Sequence, residues 1–161
     1  SFPACPSPNT TLPSIGIAFA VPEGFVSAAL PDAESAAAYE VPPGDSFISP
    51  ASIIIRRYAV GASSTALETI RETAIGGASG LPVSPTFFTS TVIGTRRFTV
   101  VGVERFEAVI NTAYYLARDT DVLRFDAIDR GVVDWTEPGL DVSALPAHTA
   151  LWGLLSTFQG R

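Results

Sequence analysis

The chain has 161 residues, 47% hydrophobic and 16% charged, with a formal net charge of −6 and a pI of about 4.6. This length and composition fit one globular domain with a core of its own and exclude an intrinsically disordered chain. The acidic surface would repel phosphate backbones, so no nucleic-acid partner is expected.

Residues 1–13, SFPACPSPNTTLP, are rich in Pro, Ser and Thr and read as a flexible tether, with residues 14–161 as a single domain. There is no methionine, so Ser1 reads as a processed or trimmed start. No apolar run is long enough to span a bilayer. A signal or anchor, if there is one, lies upstream of Ser1; the expectation is an exported domain held at a cell surface, with a trimmed cytosolic protein as the alternative. Cys5 is the sole cysteine. Its readings are lipidation, an intermolecular disulfide or a free thiol in the tail. Asn9-Thr10-Thr11 fits the glycosylation pattern, which has meaning only in a eukaryotic secretory route.

Between Ser14 and Val21, the residues Ile15, Ile17, Phe19 and Val21 alternate with small ones, as a strand requires. Pro22-Glu23-Gly24 is a turn signal, and Phe25 to Ala29 is expected to return as the partner strand of a hairpin. Pro31 to Tyr39 is alanine-rich and reads as one helical turn, ended by Pro42-Pro43-Gly44-Asp45. Ser52 to Val60, SIIIRRYAV, is the most β-branched run and reads as a central strand. Ile53, Ile55 and Arg57 lie on one side of it, and Ile54, Arg56 and Tyr58 on the other. A helix over 65–75 follows. Thr65 and Glu68 form a capping box, Leu67, Ile70, Ala74 and Ile75 an apolar stripe, and Gly76-Gly77 a left-handed stop. Residues 77–90 read as loop, with Phe87 and Phe88 open to either burial or exposure.

The stretch from Arg96 to Asp134 organises the chain as consecutive strands joined by tight turns. Ile110, Thr112, Tyr114 and Leu116 alternate with Asn111, Ala113, Tyr115 and Ala117. After the polar turn Arg118-Asp119-Thr120-Asp121, Leu123, Phe125 and Ala127 alternate with Arg124, Asp126 and Ile128. These two strands should pair antiparallel. A connection over 135–145 leads to a second helix, 146–159, with Leu151, Leu154, Leu155 and Phe158 on one face and Trp152 sealing its edge. The fold class is thus α+β: a twisted antiparallel β-sheet flanked by helices at about 65–75 and 146–159.

Few residues converge on chemistry. His148, the sole histidine, lies in the first turn of the last helix, with Asp141, Ser143 and Thr149 near it in sequence. No nucleophile elbow accompanies it, so a surface histidine is expected, with proton transfer by His148 as the enzymatic alternative. One His and one Cys exclude a zinc site. An oxygen-only calcium site from Asp119, Asp121, Asp126 and Asp129 departs from EF-hand spacing. Gly76, Gly77 and Gly80 lack the Lys and Ser/Thr of a phosphate loop, and no cofactor is expected.

The arginines offer more. All ten basic residues are arginine, which suits bidentate carboxylate recognition, although a GC-rich genome produces the same bias. Arg56-Arg57 and Arg96-Arg97 each place one guanidinium on either side of a strand. Were those strands neighbours, two arginines would share a face with Glu104, Glu107 or Asp126. Such a cluster makes either solvated salt bridges or an anion-reading patch, with Tyr58, Tyr114 and Tyr115 as aromatic companions.

Three segments carry a resemblance: IAFAVPEGF at 17–25, the strand-then-helix SIIIRRYAV…STALETIRETAIGG, and the meander closed by ALWGLLSTFQ at 150–159. Their order resembles the Mog1/PsbP-like fold and the small exported bacterial domains that share it, over most of residues 14–159; residues 31–45 and 135–145 depart from the pattern. Members of that group are mostly adaptors or accessory subunits without known catalytic residues. The resemblance therefore implies a non-catalytic binding or accessory module of the cell envelope, whose partner is another envelope protein or a small anionic ligand. A small hydrolase-like enzyme using His148, and a structural envelope domain that self-associates through a sheet edge, are the alternatives.

Overall fold

The structure, a computed structural model, describes residues 7–44 and 51–160; Cys5 and Asp45 lie outside the described residues. In chain order the elements are β1 (Thr10–Leu12), β2 (Ile17–Phe19), β3 (Val26–Ser27), β4 (Ser35–Glu40), β5 (Ser52–Ala59), α1 (Ala66–Thr73), β6 (Thr89–Ile93), β7 (Arg96–Phe106), β8 (Val109–Ala117), β9 (Asp121–Asp129), α2 (Pro146–Thr157) and β10 (Gln159–Gly160). The long alternating runs form a seven-stranded sheet in the order β3-β4-β5-β9-β8-β7-β6, every pair antiparallel. A second, three-stranded sheet has the order β1-β2-β10. The protein is an α+β domain with α1 and α2 on opposite faces of the large sheet.

Period-two alternation decides which side chain meets which helix. Toward α2, Ile53, Ile55, Phe98, Leu123 and Phe125 pack with Leu151, Leu154 and Leu155, and β2 adds Ile17 and Phe19. Toward α1, Val101, Val103, Ala113, Tyr115 and Val122 pack with Ile70 and Ala74. The pairing of β8 with β9 follows the expected turn, with Leu116 opposite Leu123 and the Arg118 N–H donating to the Asp121 carbonyl at 2.9 Å.

Several local expectations yield to long-range pairing. Part of the stretch read as a tether, Thr10–Leu12, is β1 and pairs with β2. The opening hairpin does not form. The turn at Pro22–Gly24 is present, but Ile17–Phe19 pairs with β1 and β10, whereas Val26 pairs with Glu40 of β4. The alanine-rich segment is a strand, because Ala37, Ala38 and Tyr39 pair with Ile55, Ile54 and Ile53 and are buried there. Alanine's helix preference of a few tenths of a kcal/mol per residue does not match a full hydrogen-bonded ladder with burial.

Helix α1 begins as expected, with the Glu68 N–H donating to Thr65 Oγ1 at 3.1 Å. The reciprocal half of the capping box is replaced, since the Glu68 carboxylate accepts from the Ser64 hydroxyl. Ile70 and Ala74 of the stripe are buried, while Leu67 and Ile75 are exposed. Gly76 and Gly77 do not adopt positive φ. The helix ends instead at Ala74, whose N–H donates to the Ile70 carbonyl, and Ile75 bridges to Pro82. The last helix stops at Thr157 because Gln159 and Gly160 leave to pair with β2. Within the expected loop, Phe87 is exposed and Phe88 packs against the α1-side core.

Candidate functional site

Two polar constellations flank the sheet, one per face. On the α1 face, register places Arg56, Arg124 and Tyr115 in one row across β5, β9 and β8. Two arginines side by side would repel. Asp126, two residues along β9 and fully buried, lies between them. Arg124 donates to both of its carboxylate oxygens through Nε and Nη2, at 2.8–3.0 Å, and Arg56 Nη1 donates to Oδ2 at 2.7 Å. Arg56 also reaches Asp32, and Arg124 Nη1 donates to the Thr73 carbonyl at the end of α1 and to the Tyr115 hydroxyl. Burial works against the Arg124 charge, but Asp126 outweighs it and raises the guanidinium pKa. This network fastens α1 to the sheet, and its members are buried except at the Asp32 end.

The four sequence-selected arginines are not brought together. β9 and β8 separate β5 from β7. Arg57 Nε donates to Asp121 at 2.7 Å, an acid that also takes two bonds from Arg118. Arg96 donates to the Gly160 carbonyl and lies 5.0 Å above the Phe158 ring, and Arg97 donates to Ser90. The tyrosines part likewise: Tyr58 and Tyr115 face α1, and Tyr114 faces α2.

Of the four aspartates of the conceivable calcium site, Asp119, Asp121, Asp126 and Asp129, the last three are taken up by other partners. Asp121 and Asp126 bind arginines. Asp129 accepts the backbone N–H groups of Ala147 and His148, capping α2 from a neighbouring strand, and burial raises its pKa. Among the described residues no group of three or more His, Cys, Asp or Glu is placed to hold a metal.

The α2 face holds the second constellation, around His148. It is not a surface residue: only 5% of it is exposed. Helix α2 projects His148 and Trp152 one turn apart on the same side, toward Tyr114 of β8. Trp152 Nε1–H donates to the Tyr114 hydroxyl at 2.7 Å, and that hydroxyl is hydrogen-bonded to His148 Nε2. An indole N–H only donates, so the tyrosine oxygen accepts from it; the direction of its second bond, to Nε2, follows the imidazole tautomer. The other ring nitrogen, Nδ1, is buried and has no partner among the described residues. Burial holds the imidazole below its ordinary pKa of 6.5, with the Asp141 carboxylate opposing, so the ring is neutral at pH 7.

Tyr114, His148 and Trp152 form one wall of a cavity of about 530 Å³, whose other wall is β6 and Val100 of β7. Of the hydroxyls near His148 in sequence, Ser143 donates to Asp141 and Thr149 to the Ser143 carbonyl. Neither is activated as a nucleophile by the imidazole, whose Nε2 is occupied by Tyr114. Sequence signals for both constellations existed. Arg124 and Asp126 stand two apart in a strand that is otherwise apolar between its terminal aspartates, and His148 and Trp152 stand four apart on a helix. What joins each pair to its partners, Arg56 and Tyr114, is strand order.

No family model matches the sequence, and no curated protein is similar to it. Among solved structures, a crystal structure from Bacteroides thetaiotaomicron superposes with a TM-score of 0.55 at 9% identity, over 90% of this chain and 45% of that one. The chain thus spans less than half the length of that neighbour, and at such identity the likeness shows the fold alone.

Proposed function

We propose that this domain is a non-catalytic binding or accessory module of the cell envelope, acting outside the cytoplasm, with the groove between β6 and α2 as its binding site. The observation that carries this reading is the cavity itself. It is walled by a half-exposed tryptophan, a tyrosine and a buried neutral histidine, while Arg56 and Arg96 are committed to internal partners. Concave, largely apolar walls with a few fixed polar atoms are what ligand sites require. The order of elements, similar to the Mog1/PsbP-like group, supports an accessory role and an extracytoplasmic place.

A second reading, a small enzyme, draws on the hydrogen bond between Tyr114 and His148, which puts a neutral imidazole and a phenol on the same wall. The two are separated by one experiment. A photo-crosslinking amino acid is placed at Thr149, on the groove rim, or at exposed Arg71 on α1, and the protein is irradiated in its native envelope. The binding reading expects adducts from position 149 that Trp152→Ala removes, and none of the same identity from position 71. Identical adducts at both positions, or turnover in a broad hydrolase screen that His148→Ala abolishes, would overturn it.

A further inference from the structure

We infer that the groove takes an extended peptide segment of another protein, added as an eighth strand on the free side of β6, with an apolar side chain seated in the cavity. The inference rests on the groove being the binding site. Two observations from different parts of the structure meet there. First, β6 is the last strand of the large sheet, and among the described residues no strand lies beyond it. Alternate residues of Thr89–Ile93 therefore direct N–H and C=O groups away from β7, a template for another main chain. The segment contains none of the charges or prolines that usually guard such an edge, and Thr89, Ser90 and Val92 are exposed. The opposite edge, β3, has only two residues, Val26–Ser27, and offers far less.

Second, the cavity is in register with that edge. Thr89 pairs with Val100, and Val100 with Tyr114, so one row of side chains on the α2 face runs from β8 outward to the edge. An added strand would lie about 4.8 Å beyond β6, and its residue opposite Thr89 or Thr91 would point to the same face. That side chain enters the space between β6 and Trp152. Main-chain bonds to an edge strand with a pocket for every second side chain is an established mode of peptide recognition. A second copy of this chain does not serve as the occupant. Its β6 would present Thr89, Thr91 and Ile93 to this face; the threonines offer no large apolar side chain to seat against Trp152, and Ile93 is already buried in its own core.

The test uses a displayed library of random short peptides, selected on the whole chain. Enriched sequences are expected to carry an aromatic or aliphatic residue, to slow amide exchange at Thr89–Ile93, and to weaken at least about tenfold on Trp152→Ala. Synthetic versions N-methylated at alternate amides supply the decisive arm. One phase of methylation should weaken binding at least about tenfold and the other leave it intact, because only alternate peptide N–H groups face β6. Equal tolerance of both phases, protection elsewhere than β6, or no enrichment would overturn the inference. So would a dimer, seen by sedimentation, that protects β6 without any peptide. If crosslinks from position 149 persist while no peptide is enriched, the groove remains a binding site and the extended-peptide inference alone fails. If neither appears, both fall.

Discussion

The two faces of the seven-stranded sheet are built from the same strands and solve burial in different ways. On β9, Phe125 turns to α2 and joins an apolar layer, while its neighbours Arg124 and Asp126 turn to α1 and are equally buried. On β8, Tyr114 ties into the groove and Tyr115 into the arginine network. The α2 face is held by volume, and the α1 face by a smaller apolar cluster together with a set of paired charges under a short helix. The concavity on the α2 side is walled by Tyr114, His148 and Trp152, whereas one on the α1 side, about 370 Å³ against Val83 and Val103, lies beside the loop after α1 and away from the arginines. An ion-pair layer needs every lone pair answered and so closes on itself. An apolar layer tolerates a gap at its rim where a large side chain, here Trp152, stands half out of the core.

The largest effect expected from this contrast is at Arg124. Arg124→Ala leaves Asp126 buried with only Arg56 beside it, and should cost about 3–5 kcal/mol in urea denaturation. The double variant Arg124→Met/Asp126→Leu should recover most of that loss, since the pair is replaced by apolar bulk. A double variant as unstable as the single one would show that the charges themselves hold α1 in place. On the other face, Leu151→Ala removes fully buried volume and should cost about 3 kcal/mol, as a cavity-forming change does. Little or no change there would mean the α2 face is not held by packing.

The smallest effect is a pH dependence confined to the α2 face. The folded protein holds His148 below its ordinary pKa of 6.5, so the unfolded chain takes up that proton first. The stability contributed by the neutral ring is complete above about pH 6.5. It falls as pH drops from there to the folded-state pKa, with a slope of at most about 1.4 kcal/mol per unit. The measurement is the denaturation midpoint across that window for the wild type and for His148→Gln. The slope should be lost in the variant; an unchanged slope would place its origin elsewhere, and Asp121, held low by Arg118 and Arg57, titrates too far toward acid to supply it.

Sequence by itself determined the elements whose cause is local. Alternation marked the interior of β5, β8 and β9, a polar turn placed β8 beside β9, and Thr65 with its acceptor hydroxyl started α1. The apolar stripe of α2 likewise predicted the burial of Leu151, Leu154 and Leu155. Each of these depends on neighbours within a few residues, where period and capping chemistry act. Strand order was decided only in the tertiary structure, and with it everything that gives the site. It split the expected opening hairpin between two sheets, made a strand of alanines, and parted Arg56 from Arg97. It also set Tyr114 against a histidine and a tryptophan 34 and 38 residues away. Glu107 and Ala108, both with positive φ in the turn between β7 and β8, carry no glycine or asparagine to announce it. The physical reason is common to all of these. A backbone ladder and a buried side of a sheet are worth more than local preference, and which strand supplies them depends on the whole chain closing on itself.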